Sequence, residues 1–262
     1  MVKNFVEKLR TAIKQNNSLL CVGLDPDPMK FSDHFEGLST DVESALTRWG
    51  RGIIEQTHDL GCCYKPNIAF YEQFGPPGLQ ALLNTVAAIP ANVPILLDAK
   101  RGDIGSTAAA YARMAFEIVG ADAVTVNPYL GQDSIAPFLE YPGKTVFVLC
   151  YTSNASAKQI QQFGPVGGLD LFEHIVQEAQ SWGSAEQIAF VVGATQPEAL
   201  ARFRTLAPKH WVLAPGVGAQ GGDLQQTLSS GLTPDQAGLI VPVSRGIIYA
   251  ADPRTTAAEL RT

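Results

Sequence analysis

The stretch PILLDAK at 94–100 decides how the rest of the chain is read. Pro94, Ile95, Leu96 and Leu97 run on without a polar break, and only then do Asp98 and Lys100 arrive, two residues apart. A continuous apolar run suits a parallel strand covered on both faces. Charge confined to its last residues suits the strand end at which an α/β barrel keeps its chemistry. Residues two apart on an extended strand share a face, so Asp98 and Lys100 are expected to point together into the top of a barrel.

Working outward, helical patterns flank this stretch at 78–89 and 106–119, and the same alternation recurs along the chain. Strand-like runs read SLLCVGL at 18–24, CCYKPN at 62–67, AVTVN at 123–127 and TVFVLCY at 145–151. They continue as IAFVVG at 188–193, WVLAPG at 211–216 and GLIVPVS at 238–244. Helical patterns also occupy 41–60, 132–140, 169–182, 197–206, 223–230 and 253–261. The first of these carries Val42, Ala45, Leu46, Trp49, Ile53, Ile54 and Leu60 as one apolar stripe behind an Asp41 cap. Pro197, Pro253 and the Gly222–Asp223 pair read as helix starts. An extra helix precedes the first strand, with Phe5, Val6, Leu9, Ala12 and Ile13 at helical spacing. Eight βα units of this kind predict a single α/β domain over 1–262, a (β/α)8 TIM barrel with an extra N-terminal helix. A doubly wound open sheet is the alternative.

Composition sets limits on function. The 262 residues include 25 acidic and 19 basic side chains, so the balance argues against nucleic-acid binding, which wants a clustered basic face. With 46% apolar and 17% charged residues, the chain can bury a sizeable core and is not a disordered one. No apolar run approaches the ~18 residues of a membrane span. Lys3, Glu7, Lys8, Arg10 and Lys14 break any secretory apolar region, so a cytoplasmic protein is expected. Cys21, Cys62, Cys63 and Cys150 match no disulfide framework or metal spacing and are expected to be reduced core thiols. His34, His58, His174 and His210 form no cluster and read as surface or satisfied residues. No metal site is expected.

The strand ends gather the polar chemistry. Asp25 ends the first strand, Lys65 the second, Asp98 and Lys100 the third, with Asp103 in the loop that follows. Together Lys65, Asp98, Lys100 and Asp103 would make an alternating array that keeps the lysines protonated. A cationic lysine held by carboxylates suits stabilising a developing negative charge and then protonating it. The bland alternative is a structural ion-pair network at the barrel mouth. GVGAQG at 216–221 reads best as a phosphate site, with backbone N–H groups, the helix start at 222–223 and Arg245 at the end of strand eight meeting the anion. A tight turn and a surface arginine are the plain alternative. Asp25 is either a turn former before proline or a partner for sugar hydroxyls. Ser153 and Asn154 offer neutral groups fit for a ring amide.

These motifs have a family likeness. LLDAKRGDIGST at 96–107 resembles the Asp-x-Lys-x-x-Asp signature of the orotidine 5′-phosphate decarboxylases. CVGLDPDP at 21–28, YKPNIAFYE at 64–72, GVGAQGGD and VSRGI complete the pattern in order, in the form of the type 2 branch, from about residue 18 to 250. The resemblance implies cofactor-free conversion of orotidine 5′-phosphate to uridine 5′-phosphate (UMP), the last step of de novo pyrimidine synthesis. It implies Lys100 as proton donor to carbon 6, with Asp98, Asp103 and Lys65 completing the catalytic array. It also implies a homodimer in which Asp103, with Ile104 and Thr107, crosses the interface. Asp25 and Lys65 would contact the ribose, Ser153 the pyrimidine edge, and Gln220 and Arg245 the phosphate, with Gly221 and Gly246 beside them. Three other readings compete: a metal-dependent sugar-phosphate decarboxylase of the same barrel plan, a Schiff-base aldolase, and a non-catalytic phosphate-binding barrel. The aldolase needs a neutral amine, which nearby carboxylates oppose.

Overall fold

The computed structural model describes residues 4–31, 41–164, 167–218 and 221–261. The chain divides into two compact units. The first comprises Met1–Ala99, Arg113–Val124 and Val243–Thr262; the second comprises Lys100–Ala112 and Thr125–Pro242.

In the first unit, α1 (Phe5–Asn16) starts at a capping box between Asn4 and Glu7 and buries Phe5, Val6, Leu9 and Ala12. Strands β1 (Leu20–Leu24) and β2 (Cys63–Pro66) run parallel, with Cys21 beside Cys63 and Leu24 beside Pro66. Bridges Tyr64–Ile95 and Asn67–Asp98 tie β2 to β3 (Leu96–Arg101). Helix α2 (Val42–Thr57) begins at Asp41, whose carboxylate accepts from the Glu43 and Ser44 N–H groups. The short α3 (Ala69–Glu72) leads into α4 (Gly75–Val86), which has proline in its first turn. α2 approaches α4 closely because Gly50 has no side chain: a Cβ there would lie 2.6 Å from Thr85 Cγ2.

The second unit holds α5 (Gly105–Arg113), α6 (Ala136–Leu139), β5 (Thr145–Tyr151) and α7 (Ala157–Gln161). It continues through α8 (Leu171–Ala179), β6 (Ile188–Val192), α9 (Pro197–Leu206), β7 (Val212–Leu213) and α10 (Leu224–Gly231). β5, β6, β7 and β8 (Leu239–Val243) pair in parallel, one after the next. β4 (Ala123–Val126) and the helices α11 (Arg245–Ile248) and α12 (Pro253–Glu259) complete the chain. The strands are ordered β2-β1-β8-β7-β6-β5-β4-β3 in one sheet, and the β2–β3 bridges join its first member to its last.

All eight expected strands are present. β1, β2, β4 and β6 are buried at every residue, which is why they read as largely apolar runs, with Lys65 in β2 and Thr125 in β4 the polar exceptions. The differences lie in the helices and in one strand. The pattern at 106–119 is α5 followed by a π-helical turn, Met114–Ile118; that at 132–140 is a 3-10 turn followed by α6. The run 211–216 yields only the two-residue β7. α3, α7 and α11 each span a single turn, too little for a helical period to show. Among the described residues no helix is long and apolar enough to cross a membrane.

Candidate active site

The centre of the site is Lys65, at the end of β2. Its side chain is buried (7% exposed), and Nζ donates to Asp98 Oδ2 at 3.1 Å while lying 4.0 Å from Asp25 Oδ1. Asp98 is equally buried, at 8%. The β1–β2 register, with Gly23 beside Lys65, and the Asn67–Asp98 bridge bring these three residues together at neighbouring strand ends. Burial by itself would push the Lys65 ammonium down; Asp98 and Asp25 outweigh it and hold the group above the ordinary lysine range. The arrangement favours the ammonium form, which opposes a role as neutral nucleophile.

Asp25 is itself held. Ser244 donates its hydroxyl to Asp25 Oδ2, and the Tyr249 hydroxyl donates to the Asp25 carbonyl at 2.7 Å. Burial pushes the Tyr249 phenol up to about 12, so it stays a donor at neutral pH. Neither residue was singled out by the sequence pattern. VSRGI does place Ser244 directly at the strand end, but nothing in its spacing ties it to β1.

Lys100 departs from the expected geometry. It stands on β3 at φ 48°, in the left-handed region, and is exposed where Asp98 is buried. The alternation of an extended strand does not carry through such a residue, so the argument that Asp98 and Lys100 share a face does not apply. The backbone N–H of Lys100 donates to Thr125 Oγ1 at 3.0 Å, and the Asn127 N–H donates to the Arg101 carbonyl at 2.7 Å. Thr125 is a further residue the sequence did not mark out. Asp103 is half-buried and accepts the Ile104 N–H at 2.8 Å; Ile104 (55% exposed) and Thr107 lie exposed beside it.

The loop readings divide. Ser153 follows β5, half-buried, its carbonyl accepting from Thr195 Oγ1 at 3.3 Å. In the glycine stretch, the Gly218, Gly221 and Gly222 N–H groups donate to the Gly222, Gly218 and Gly216 carbonyls. These three N–H groups are engaged within the turn. The Asp223 carboxylate caps α10 by accepting the Gln226 N–H, so that helix end already meets an anion. Gln220 lies outside the described residues, as does His34. Arg245 and Gly246 are exposed and open the first turn of α11, where leading N–H groups precede any intrahelical acceptor. All four cysteines are free and buried. His210 corrects the expectation of a surface or satisfied residue: it is 8% exposed and neither ring nitrogen has a hydrogen-bond partner among the described residues.

Parallel strands whose ends hold a lysine between two aspartates define a (β/α)8 barrel with a charged strand-end site. Residues 18–260 match the family model described as Orotidine 5′-phosphate decarboxylase / HUMPS family. The chain belongs to that family. It is 48% identical over 250 residues to the orotidine 5′-phosphate decarboxylase of Thermomicrobium roseum, covering 94% of this chain and 87% of that one. Its likeness to the enzyme of the same name from Aromatoleum aromaticum is 45% over 260 residues, 98% and 94% of the two chains. Among solved structures, a Toxoplasma gondii chain superposes with a TM-score of 0.92 at 43% identity, over 99% of this chain and 94% of that one. The Leishmania donovani OMP decarboxylase follows at 0.88 and 43%, over 98% and 96%.

Proposed function

We propose that the chain decarboxylates orotidine 5′-phosphate to UMP, completing pyrimidine nucleotide synthesis. The observation that carries the proposal is the buried Asp25–Lys65–Asp98 array, with Lys100 two residues along the same strand from Asp98. Cleavage of the carboxylate's C–C bond releases carbon dioxide and leaves the electron pair on carbon 6 of the pyrimidine. The Lys100 ammonium stabilises that pair and gives it a proton, and solvent returns a proton to the amine. Phosphate and ribose contacts, from Arg245, Gly246, Gly221, Gln220, Asp25 and Lys65, bind remote parts of the substrate and favour the transition state. Ser153 meets the pyrimidine edge. The protein works in the cytoplasm as a homodimer with Asp103, Ile104 and Thr107 at the interface. The exposure of Ile104, together with Tyr129 (85%) and Leu130 in the same unit, supports such a contact.

The sugar-phosphate reading asks for carboxylates free to hold a cation. Here Asp98 already accepts from the Lys65 ammonium, which favours the charge-balanced reading. The test is to follow the ultraviolet absorbance of orotidine 5′-phosphate with purified protein, with and without EDTA. Metal-insensitive loss of substrate absorbance with formation of UMP is expected. A chain that leaves orotidine 5′-phosphate unchanged, or that works only with added Mg²⁺, refutes the proposal.

A further inference from the structure

One oxygen of the Asp25 carboxylate is hydrogen-bonded and the other is not. Ser244 holds Oδ2, whereas Oδ1 is buried, has no hydrogen-bond partner among the described residues and lies 4.0 Å from Lys65 Nζ. Ser244 reaches Asp25 because of a gap in β1. A Cβ on Gly23 would lie 1.9 Å from Ser244 Oγ and 2.8 Å from Ser244 Cβ, both nearer than real atoms approach. Gly23 and Ser244 are far apart in the chain and are fitted to each other.

From this fit we infer that Gly23 and Ser244 act as one coupled positioning unit: they hold the Asp25 carboxylate so that Lys65 stays on Asp98 and Oδ1 stays unpartnered, an acceptor kept for a substrate hydroxyl. A carboxylate tethered through neither oxygen turns about its own axis toward the strongest donor in reach, here a buried ammonium. Once bonded directly to Lys65, Asp25 would draw that lysine from Asp98 at 3.1 Å and use up its unpartnered acceptor. The Tyr249 bond to the Asp25 carbonyl fixes the backbone but leaves the carboxylate to Ser244. The inference rests on the proposed decarboxylase reading for the identity of the ligand, not for the geometry. Ser244 acts through Asp25 and is a positioning residue.

The test uses Ser244→Ala, Ser244→Gly, Gly23→Ala and the double variant Gly23→Ala/Ser244→Gly in the full-length protein. For Ser244→Ala the KM for orotidine 5′-phosphate is expected to rise about tenfold while kcat stays within about threefold, since one bond at a remote part of the ligand is lost. Gly23→Ala should show the same rise by displacing the hydroxyl, and the double variant should be no worse than Ser244→Gly. An unchanged KM in Ser244→Ala, or losses that multiply in the double variant, would overturn the coupling. If Gly23→Ala fails to fold, the two Ser244 variants and the double still decide it. A crystal structure of Ser244→Ala gives a readout independent of the reaction. A carboxylate turned toward Lys65 supports the inference, and an unmoved Asp25 refutes it even if the wild-type chain proves not to be a decarboxylase.

Discussion

The Thr125 hydroxyl accepts the backbone N–H of Lys100 at 3.0 Å, and Lys100 is one of three non-glycine residues at positive φ among those described. A left-handed backbone costs an ordinary residue roughly 1–2 kcal/mol, so it persists only where its surroundings enforce it. The end of β4 does so twice, through Thr125 and through the Asn127 N–H on the Arg101 carbonyl. Thr125→Val keeps the shape and removes the acceptor. We expect kcat to fall about tenfold with KM little changed and the fold intact, the scale of one buried hydrogen bond. Steady-state kinetics beside a thermal melt check this; an unaltered kcat would show that the strand end holds its conformation without the hydroxyl.

Lys100→Ala removes the proposed proton donor from an exposed position and so should not disturb packing. Turnover should drop by at least about a thousandfold, with the melting temperature within a few degrees of wild type. The absorbance assay and circular dichroism separate the two effects. A variant that keeps normal kcat leaves the proton to another group.

Lys65→Met behaves differently because it strands Asp25 and Asp98 as buried carboxylates without their cation. Breaking a buried pair from one side costs about 3–5 kcal/mol, so a fall of that size in the unfolding free energy, read by urea denaturation, is expected. The sign with pH follows from the raised lysine. A group whose folded value lies above its unfolded value of about 10.4 gives its full contribution below that pH and loses it only on further titration upward. The cost of Lys65→Met should therefore be the same at pH 7 and pH 9. A cost that vanishes by pH 9 means the lysine has already lost its proton.

Much of this site could be read from the sequence because burial of charge is expensive. Lys65 and Asp98 stand out in apolar runs where an unpaired charge would be prohibitive, so each announces a partner. The strands were legible for a related reason, since cover on both faces removes polar positions. What could not be read depends on contacts between distant residues or on backbone angles that composition does not encode. Nothing about lysine signals a φ of 48°, and nothing links Gly23 to Ser244 across more than two hundred residues. The glycine stretch was legible only in part. Its pattern marks a tight turn rightly, but whether the N–H groups face a ligand or the turn's own carbonyls is decided by the turn geometry.

Gly193, just past β6, offers a test of the loop that carries Ser153. A Cβ there would lie 2.8 Å from Ser153 Cα and 2.9 Å from its nitrogen, so the two backbones touch only because the glycine is bare. Backbone cannot yield as a flexible side-chain tip does, and Gly193→Ala must push the Ser153 segment away. We expect KM to rise about tenfold or more, with stability lowered by about 1–3 kcal/mol as in other overpacked sites. Kinetics and urea unfolding together check it. Wild-type values for both would show the loop to be free to shift.

His210 is expected to lower stability toward acid pH. Its ring is buried with both nitrogens unbonded, packed edge-on against Phe190 at 5.5 Å, and its carbonyl accepts from Arg204 at 2.8 Å. Burial pushes the imidazole below its ordinary value, and the Arg204 guanidinium adds to the shift. A histidine lowered in the folded state resists a proton that the unfolded chain accepts below about pH 6.5. The unfolded chain thus binds more protons there, and stability falls as pH drops through that value. His210→Leu removes the titration and keeps an apolar side chain in the same space. Between pH 7.5 and 5.5 the wild type should lose up to about 1 kcal/mol more than this variant, a figure that allows for screening by solvent near the ring. Equal losses in the two proteins, read by urea unfolding at both pH values, would mean that the buried imidazole takes its proton as readily folded as unfolded.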